Sequence, residues 1–124
     1  MTAALIYDGD CGLCRAVARA ARALDKRGSI RPVPAQSEEG RHLTPGMSED
    51  ERMASFHLVK SDGVTSGPEA LAPTLRLLPP LRPAASLLER SPVAYRAASA
   101  LYHWVTPRRH RLARLLPKRW TRPL

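Results

Sequence analysis

Apolar runs of strand length alternate with stretches of helical period through the first part of the chain. Ala3-Ala4-Leu5-Ile6-Tyr7 is a short apolar run ended by the loop-forming Asp8-Gly9-Asp10, and it predicts a buried strand. From Cys11 to about Leu24 the period changes. Val17, Ala20, Ala21 and Leu24 recur at intervals of three and four, and Arg15, Arg19 and Arg22 fall opposite them. This predicts a helix with Asp10 as its N-cap and Gly28 as its terminator. Ser29 to Ala35 reads as a second strand, and its prolines, Pro32 and Pro34, assign it to a sheet edge or end it early. Gln36 to Met47 reads as loop, after which Ser48-Glu49-Asp50-Glu51 opens a short helix with acids in its first turn. Ser55 to Lys60 and Val64 to Ser66 flank Ser61-Asp62-Gly63, the pattern of a β-hairpin with an Asp-Gly turn. Pro68 starts a helix to Leu78 with Leu71, Leu75 and Leu78 on one face, and Pro79-Pro80 stops it.

The resulting order is strand, helix, strand, short helix, strand, strand, helix. It predicts an α/β fold of thioredoxin-like arrangement, a central sheet flanked by helices. Further on, Pro92 to Val105 carries Ala94, Ala97, Ala98, Leu101 and Val105 at helical spacing, Thr106-Pro107 breaks the pattern, and Arg108 to Leu116 can add a basic turn or two. Residues 1–81 are therefore expected to form the thioredoxin-like body. Residues 82–124 are expected to form a basic helical extension packing on it or trailing from it.

Charge draws the same division. Up to Leu81 there are ten Lys/Arg and ten Asp/Glu. From Arg82 onward there are ten Lys/Arg and a single acid, Glu89, so this part carries the whole net charge of +9. Arg108, Arg109, Arg111, Arg114, Lys118, Arg119 and Arg122 are interleaved with Leu112, Leu115, Leu116 and Trp120. That composition suits an anionic membrane surface or an acidic protein met through residues 108–122, the alternative to redox chemistry being a non-catalytic interaction domain that docks there. It equally suits a solvated stretch with no specific partner. Nucleic acid ranks lower as a partner, because no binding motif accompanies the charge. The length of 124 residues suits one domain, and aromatic residues at 5% leave its core to Leu, Val and Ala. The opening residues lack a basic leader region, and no apolar stretch approaches the roughly 18 residues of a membrane span. The expected location is cytoplasmic, with peripheral membrane association open to the basic region.

The two cysteines are the chemically informative pair. Cys11 and Cys14 sit one helical turn apart at a helix start, which suits disulfide closure. There Cys11 is expected to be exposed and Cys14 packed behind it. Unpaired N–H groups and the helix dipole stabilise a thiolate at that end, so Cys11 takes the role of nucleophile and Cys14 that of resolving thiol. Gly12 is expected to let a substrate backbone approach, and Leu13 to offer it an apolar contact. Asp8 and Asp10 oppose the dipole by raising the pKa of a nearby thiol. Gln36 is a candidate polar partner if the second strand ends beside the cysteines. Tyr7 belongs to the core, and His57 to the structure of its strand.

Three other assignments compete with this one. Two inert core cysteines would need no chemistry. Zinc would need ligands from His42, His57, His103 or His110, none at ligand spacing. Asp8-x-Asp10 after a first strand also resembles haloacid-dehalogenase phosphatases, but the later Lys and acidic motifs of that family are missing. No cofactor and no metal is expected.

The motif Asp8-Gly9-Asp10-Cys11-Gly12-Leu13-Cys14 resembles that of the DCC family of predicted thiol–disulfide oxidoreductases, named for Asp-x-x-Cys-x-x-Cys. Gln36-Ser37 with Gly40 and Leu43 is also similar to the family, as are Phe56-His57-Leu58-Val59 with Asp62-Gly63 and Tyr102-His103-Trp104-Val105 with Arg109 and Leu112. The resemblance implies a thioredoxin-like fold in which the two cysteines exchange electrons with a thiol or disulfide substrate. Thioredoxins themselves carry a cis-proline before the third strand. Here Arg52-Met53-Ala54-Ser55 occupies that stretch, which removes this means of holding substrate backbone.

Overall fold

A computed structural model describes residues 3–124. Met1 and Thr2, the first of the opening residues and of the expected body, lie outside the described residues. The first strand, β1 (Ala3–Tyr7), is buried along its whole length. It lies parallel to β2 (Ile30–Pro34) and antiparallel to β3 (His57–Lys60), which pairs in turn with β4 (Gly63–Ser66). The sheet order is β2-β1-β3-β4, so the proline-bearing β2 does occupy an edge, where a missing N–H costs least.

Both faces of β1 are covered because its side chains alternate. Ala4 and Ile6 join Val33 and Ala35 in one cluster, closed by Leu43, Met53 and Val59. Leu5 and Tyr7 point the other way, toward Ala18 and Ala21 of α1 (Gly12–Leu24) and toward Leu78. This is the thioredoxin-like arrangement: a mixed four-stranded sheet flanked by helices, with the βαβ crossover of β1, α1 and β2 beside a β-hairpin.

Several element boundaries differ from the pattern. Cys11, not Asp10, is the N-cap of α1, and its sulfur accepts the Cys14 N–H at 3.3 Å. Asp10 is held back because its own N–H donates to the Asp8 carboxylate, and Cys11 N–H donates to the Asp8 carbonyl. At the other end, Asp25 caps α1, and its carboxylate also accepts the N–H groups of Ser29 and Ile30. Gly28 comes later, at φ 65°, as the turn residue leading into β2.

The stretch read as loop holds α2 (Glu38–Leu43), started by Ser37 accepting from Gly40 N–H, with two acids in its first turn. A helix of six residues is too short for the periodic signal to register. Next, α3 (Glu49–Ala54) opens with a capping box between Ser48 and Glu51. The helix expected from Pro68 divides into a 3₁₀ turn, Gly67–Ala70, and α4 (Leu71–Arg76). The pattern also passed over α5 (Arg82–Arg90), which α6 (Pro92–Val105) follows after one residue. The chain ends with α7 (Arg109–Ala113) and α8 (Lys118–Thr121). Among the described residues no helix is long and apolar enough to cross a membrane.

Two of the three arginines on the polar face of α1, Arg15 and Arg19, are covered by the C-terminal segment, while Arg22 is exposed. Arg15 Nε donates to the Thr121 carbonyl at 2.5 Å, and Arg19 donates to the Arg122 carbonyl at 2.9 Å. Both side chains thus cap the carbonyls of the C-terminal segment, whose helices α7 and α8 lie along α1. Meanwhile Val17, placed by periodicity on the buried face, is 44% exposed.

Candidate active site

The site is the junction where β1 ends and α1 begins. Tyr7, Cys11, Cys14 and Ala18 form one buried cluster there, with Leu13 and Phe56 packed against it. Both cysteines are free thiols and both are buried, Cys11 at 0% and Cys14 at 3% relative exposure. The expected exposure of Cys11 is therefore not what the fold produces, and the reason is next to it. A Cβ on Gly12 would stand 3.0 Å from Ala113 Cβ and 3.2 Å from Thr121 Cβ. The space at Gly12 that an incoming backbone would use is filled by the chain's own α7 and α8.

The two thiols differ sharply in acidity. Cys11 is pushed down to about 6, first by the hydrogen bond from the Cys14 thiol. Burial opposes this, while the Cys14 N–H and the positive charges of Arg109 and His110 reinforce it. Cys14 is raised, first because its proton is held in that same bond, then by burial and by the charge on Cys11. One thiolate shared by the pair, resident on Cys11, accounts for both directions.

Asp8 is buried at 3% exposure beside these thiols, yet it is not a free negative charge. Arg109 of α7 holds it at 3.0 Å, with Arg109 Nη1 3.8 Å from Cys14 Sγ. Gln36 Nε2 donates to Asp8 at 2.6 Å and, more loosely, to Asp10 at 3.3 Å, while Gln36 Oε1 accepts Gly9 N–H at 2.9 Å. Gln36 thus clamps the acidic loop from the end of β2 rather than touching the cysteines. Asp10 sits at the exposed edge of the loop, its backbone N–H tied to Asp8.

The fold therefore brings Asp8, Gly12 and Gln36 together with the two cysteines and leaves Asp10 at the rim. The sequence pattern did not single out Arg109 as a site residue. Its only signal was its place in the Tyr102–Leu112 segment shared with the family, which a basic cluster on either side obscured. Tyr102 is a second such residue. Its hydroxyl accepts Phe56 N–H at 3.1 Å and thereby fixes α6 against the start of β3. His57 is engaged structurally: its ring lies 2.6 Å from Ser66 Oγ and 3.1 Å from the carbonyls of Glu51 and Arg52, and burial lowers its pKa.

A thioredoxin-like sheet with a buried Cys-x-x-Cys pair at the head of its first helix defines a class of thiol–disulfide proteins. Comparison with protein families narrows this further. The model of the DCC1-like thiol-disulfide oxidoreductase family matches residues 5–115, most of the chain, and the protein belongs to that family. Searches of curated proteins and of solved structures find no match to this chain.

Proposed function

We propose that the protein is a thiol–disulfide oxidoreductase in which Cys11 and Cys14 cycle between dithiol and disulfide. The observation that carries this is the bond from Cys14 N–H to Cys11 Sγ at the start of α1, which supports a thiolate on Cys11 in contact with its partner thiol. When either sulfur is joined to a substrate in a mixed disulfide, the other attacks it. The Cys11–Cys14 bond forms and the substrate leaves as a thiolate, so two electrons pass from the protein to the substrate. Asp8 and Gln36 support the pair by setting the loop, and Arg109 offsets the charge of Asp8. Asp10 acts through its backbone N–H, which is tied to the Asp8 carboxylate, and Gly12 lets α7 and α8 pack closely against the head of α1. Thiol counting on the full chain before and after mild oxidation tests this. Two thiols should disappear together in a monomeric product, and Cys11→Ser should abolish that paired loss. Two thiols that persist under oxidation would refute it.

One observation favours a second activity outside the redox pair. Leu101, Trp104, Leu115 and Trp120 are 62%, 51%, 79% and 42% exposed, and Arg108 lies 4.5 Å over the Trp104 ring. Exposed apolar and aromatic side chains among arginines suit the interface of an anionic membrane. Co-sedimentation with vesicles containing phosphatidylserine should be strong at low salt and weak at high salt. Equal sedimentation with neutral vesicles would remove this reading.

A further inference from the structure

Beside the redox pair lies a cavity of about 500 Å³, walled by α1, α4 and α6 through side chains such as Val17, Leu75, Leu101 and Val105. Cys14 and Arg109 line it, and Cys11 does not. Cys11 is fully buried, and the ground beside it at Gly12 is filled by Ala113 and Thr121. We propose that this cavity admits a small apolar thiol or its disulfide, and that the compound reacts at Cys14 rather than at Cys11. The proposal rests on the redox function above and names its substrate class.

The chemistry of the wall selects the occupant. Its lining is apolar almost throughout, so a hydrophilic compound would lose water there without gaining partners. The polar groups it does contain are largely engaged: the Tyr102 hydroxyl with Phe56 N–H, Thr106 Oγ1 with the Tyr102 carbonyl, and one Arg109 nitrogen with Asp8. What the wall leaves for reaction is the sulfur of Cys14.

Entry at Cys14 changes the roles of the two cysteines. In the disulfide form, a ligand thiolate attacks Cys14 Sγ, the Cys11–Cys14 bond breaks, and Cys11 leaves as thiolate. A mixed disulfide then joins Cys14 to the ligand. A second ligand thiolate attacks the ligand sulfur of that mixed disulfide, forming a ligand disulfide and releasing Cys14, which takes up a proton. Two thiols are oxidised and one protein disulfide is reduced. In the reverse direction Cys14 gives up its proton to the departing ligand thiolate as its sulfur attacks the ligand disulfide. The Cys11 thiolate then attacks Cys14 Sγ, closing the protein disulfide and releasing the second ligand thiolate. The acidity of Cys11 fits this order, because the more acidic thiol leaves more readily.

Methyl and hexyl methanethiosulfonate, which transfer an alkylthio group to a thiol, test the assignment on full-length Cys11→Ser and Cys14→Ser proteins. Rates are normalised to those of a free small thiol. At Cys14 the hexyl reagent should react at least tenfold faster than the methyl one, since each buried methylene contributes about a fourfold gain. At Cys11 reaction should be slow and indifferent to chain length. Leu101→Trp, at a largely exposed position on the cavity wall, should bring the hexyl-to-methyl ratio at Cys14 toward one. Circular dichroism should confirm that this variant is folded. Labelling of Cys11 as fast as Cys14, or a ratio near one at Cys14 in otherwise native protein, would overturn the proposal while leaving a reversible disulfide in place. Failure of the wild-type pair to form any disulfide would instead overturn the redox function, and with it the thiol substrate.

Discussion

Arg109 holds the buried carboxylate of Asp8 at 3.0 Å and leans its other nitrogen toward Cys14 Sγ at 3.8 Å. One guanidinium thus joins the last part of the chain to the loop before the redox pair. It also removes the penalty that an uncompensated Asp8 would place on a thiolate nearby. Arg109→Gln should leave Asp8 buried without its cation and cost about 2–4 kcal/mol of stability. The thiolate transition of Cys11 should move upward in the same variant, because Arg109 is one of the charges that lower it. Thermal unfolding and thiolate ultraviolet absorbance against pH measure the two effects, and Arg109→Lys should restore part of both.

Cys14 is the main reason that Cys11 is acidic, since its thiol donates to the Cys11 sulfur. Cys14→Ala removes that donor and keeps the packing nearly intact. The Cys11 transition should then rise from about 6 by about one to two pH units, the equivalent of one hydrogen bond to a charged group. A transition that stays near 6 would assign the acidity to the helix terminus and the arginine instead.

The pH dependence of folding has a defined sign. The folded-state pKa of Cys11 lies near 6, below its ordinary 9.0, so its thiolate stabilises the fold fully above about pH 9, and that contribution is lost as pH falls toward 6. His57 is lowered from 6.5 by burial, so the folded state resists its protonation, and stability falls further below pH 6.5. The raised Cys14 acts against folding only above the ordinary thiol range. Chemical denaturation under reducing conditions should therefore give higher stability at pH 8 than at pH 5.5. In Cys11→Ser the slope between pH 6 and 9 should flatten, while the fall below 6.5 should remain.

Gly40 is required for a steric reason. A Cβ there would lie 2.4 Å from the Pro34 carbonyl oxygen and 3.1 Å from that of Ala35, and backbone at the end of β2 has little room to move. Gly40→Ala should push α2 off the sheet, cost about 2–4 kcal/mol, and loosen the Gln36 clamp on Asp8. Urea denaturation measures the first effect, and faster amide exchange at Gly9 the second.

Local signals in the chain were enough to place most of the sheet and the head of α1. The apolar run before Asp8, the prolines of β2 and the hairpin pattern each act over a few residues, and each strand stands where its pattern puts it. The hairpin turn, however, is Ser61-Asp62, and Gly63 already belongs to β4, paired with Lys60. What the pattern could not convey was tertiary cover. The arginine face of α1 looks like a solvated face until Thr121 and Arg122 present their carbonyls to Arg15 and Arg19. Gly12 looks like an opening for substrate until Ala113 and Thr121 occupy it. Arg109 is one basic residue among many until the fold sets it between Asp8 and Cys14. The N-cap was misplaced for a related reason. Asp10 has the better capping side chain, but the turn closed by Asp8 leaves Cys11 in the capping position.

The redox pair is tested most directly by equilibrating the full chain in thiol–disulfide buffers of graded potential and counting free thiols by mass. Cys11 and Cys14 should lose their thiols together, in a two-electron transition of a monomer in which about 30 mV moves the ratio tenfold. Cysteines that stay reduced across the whole range, or that pair only between molecules, would contradict the assignment of Cys11 and Cys14 as a redox couple.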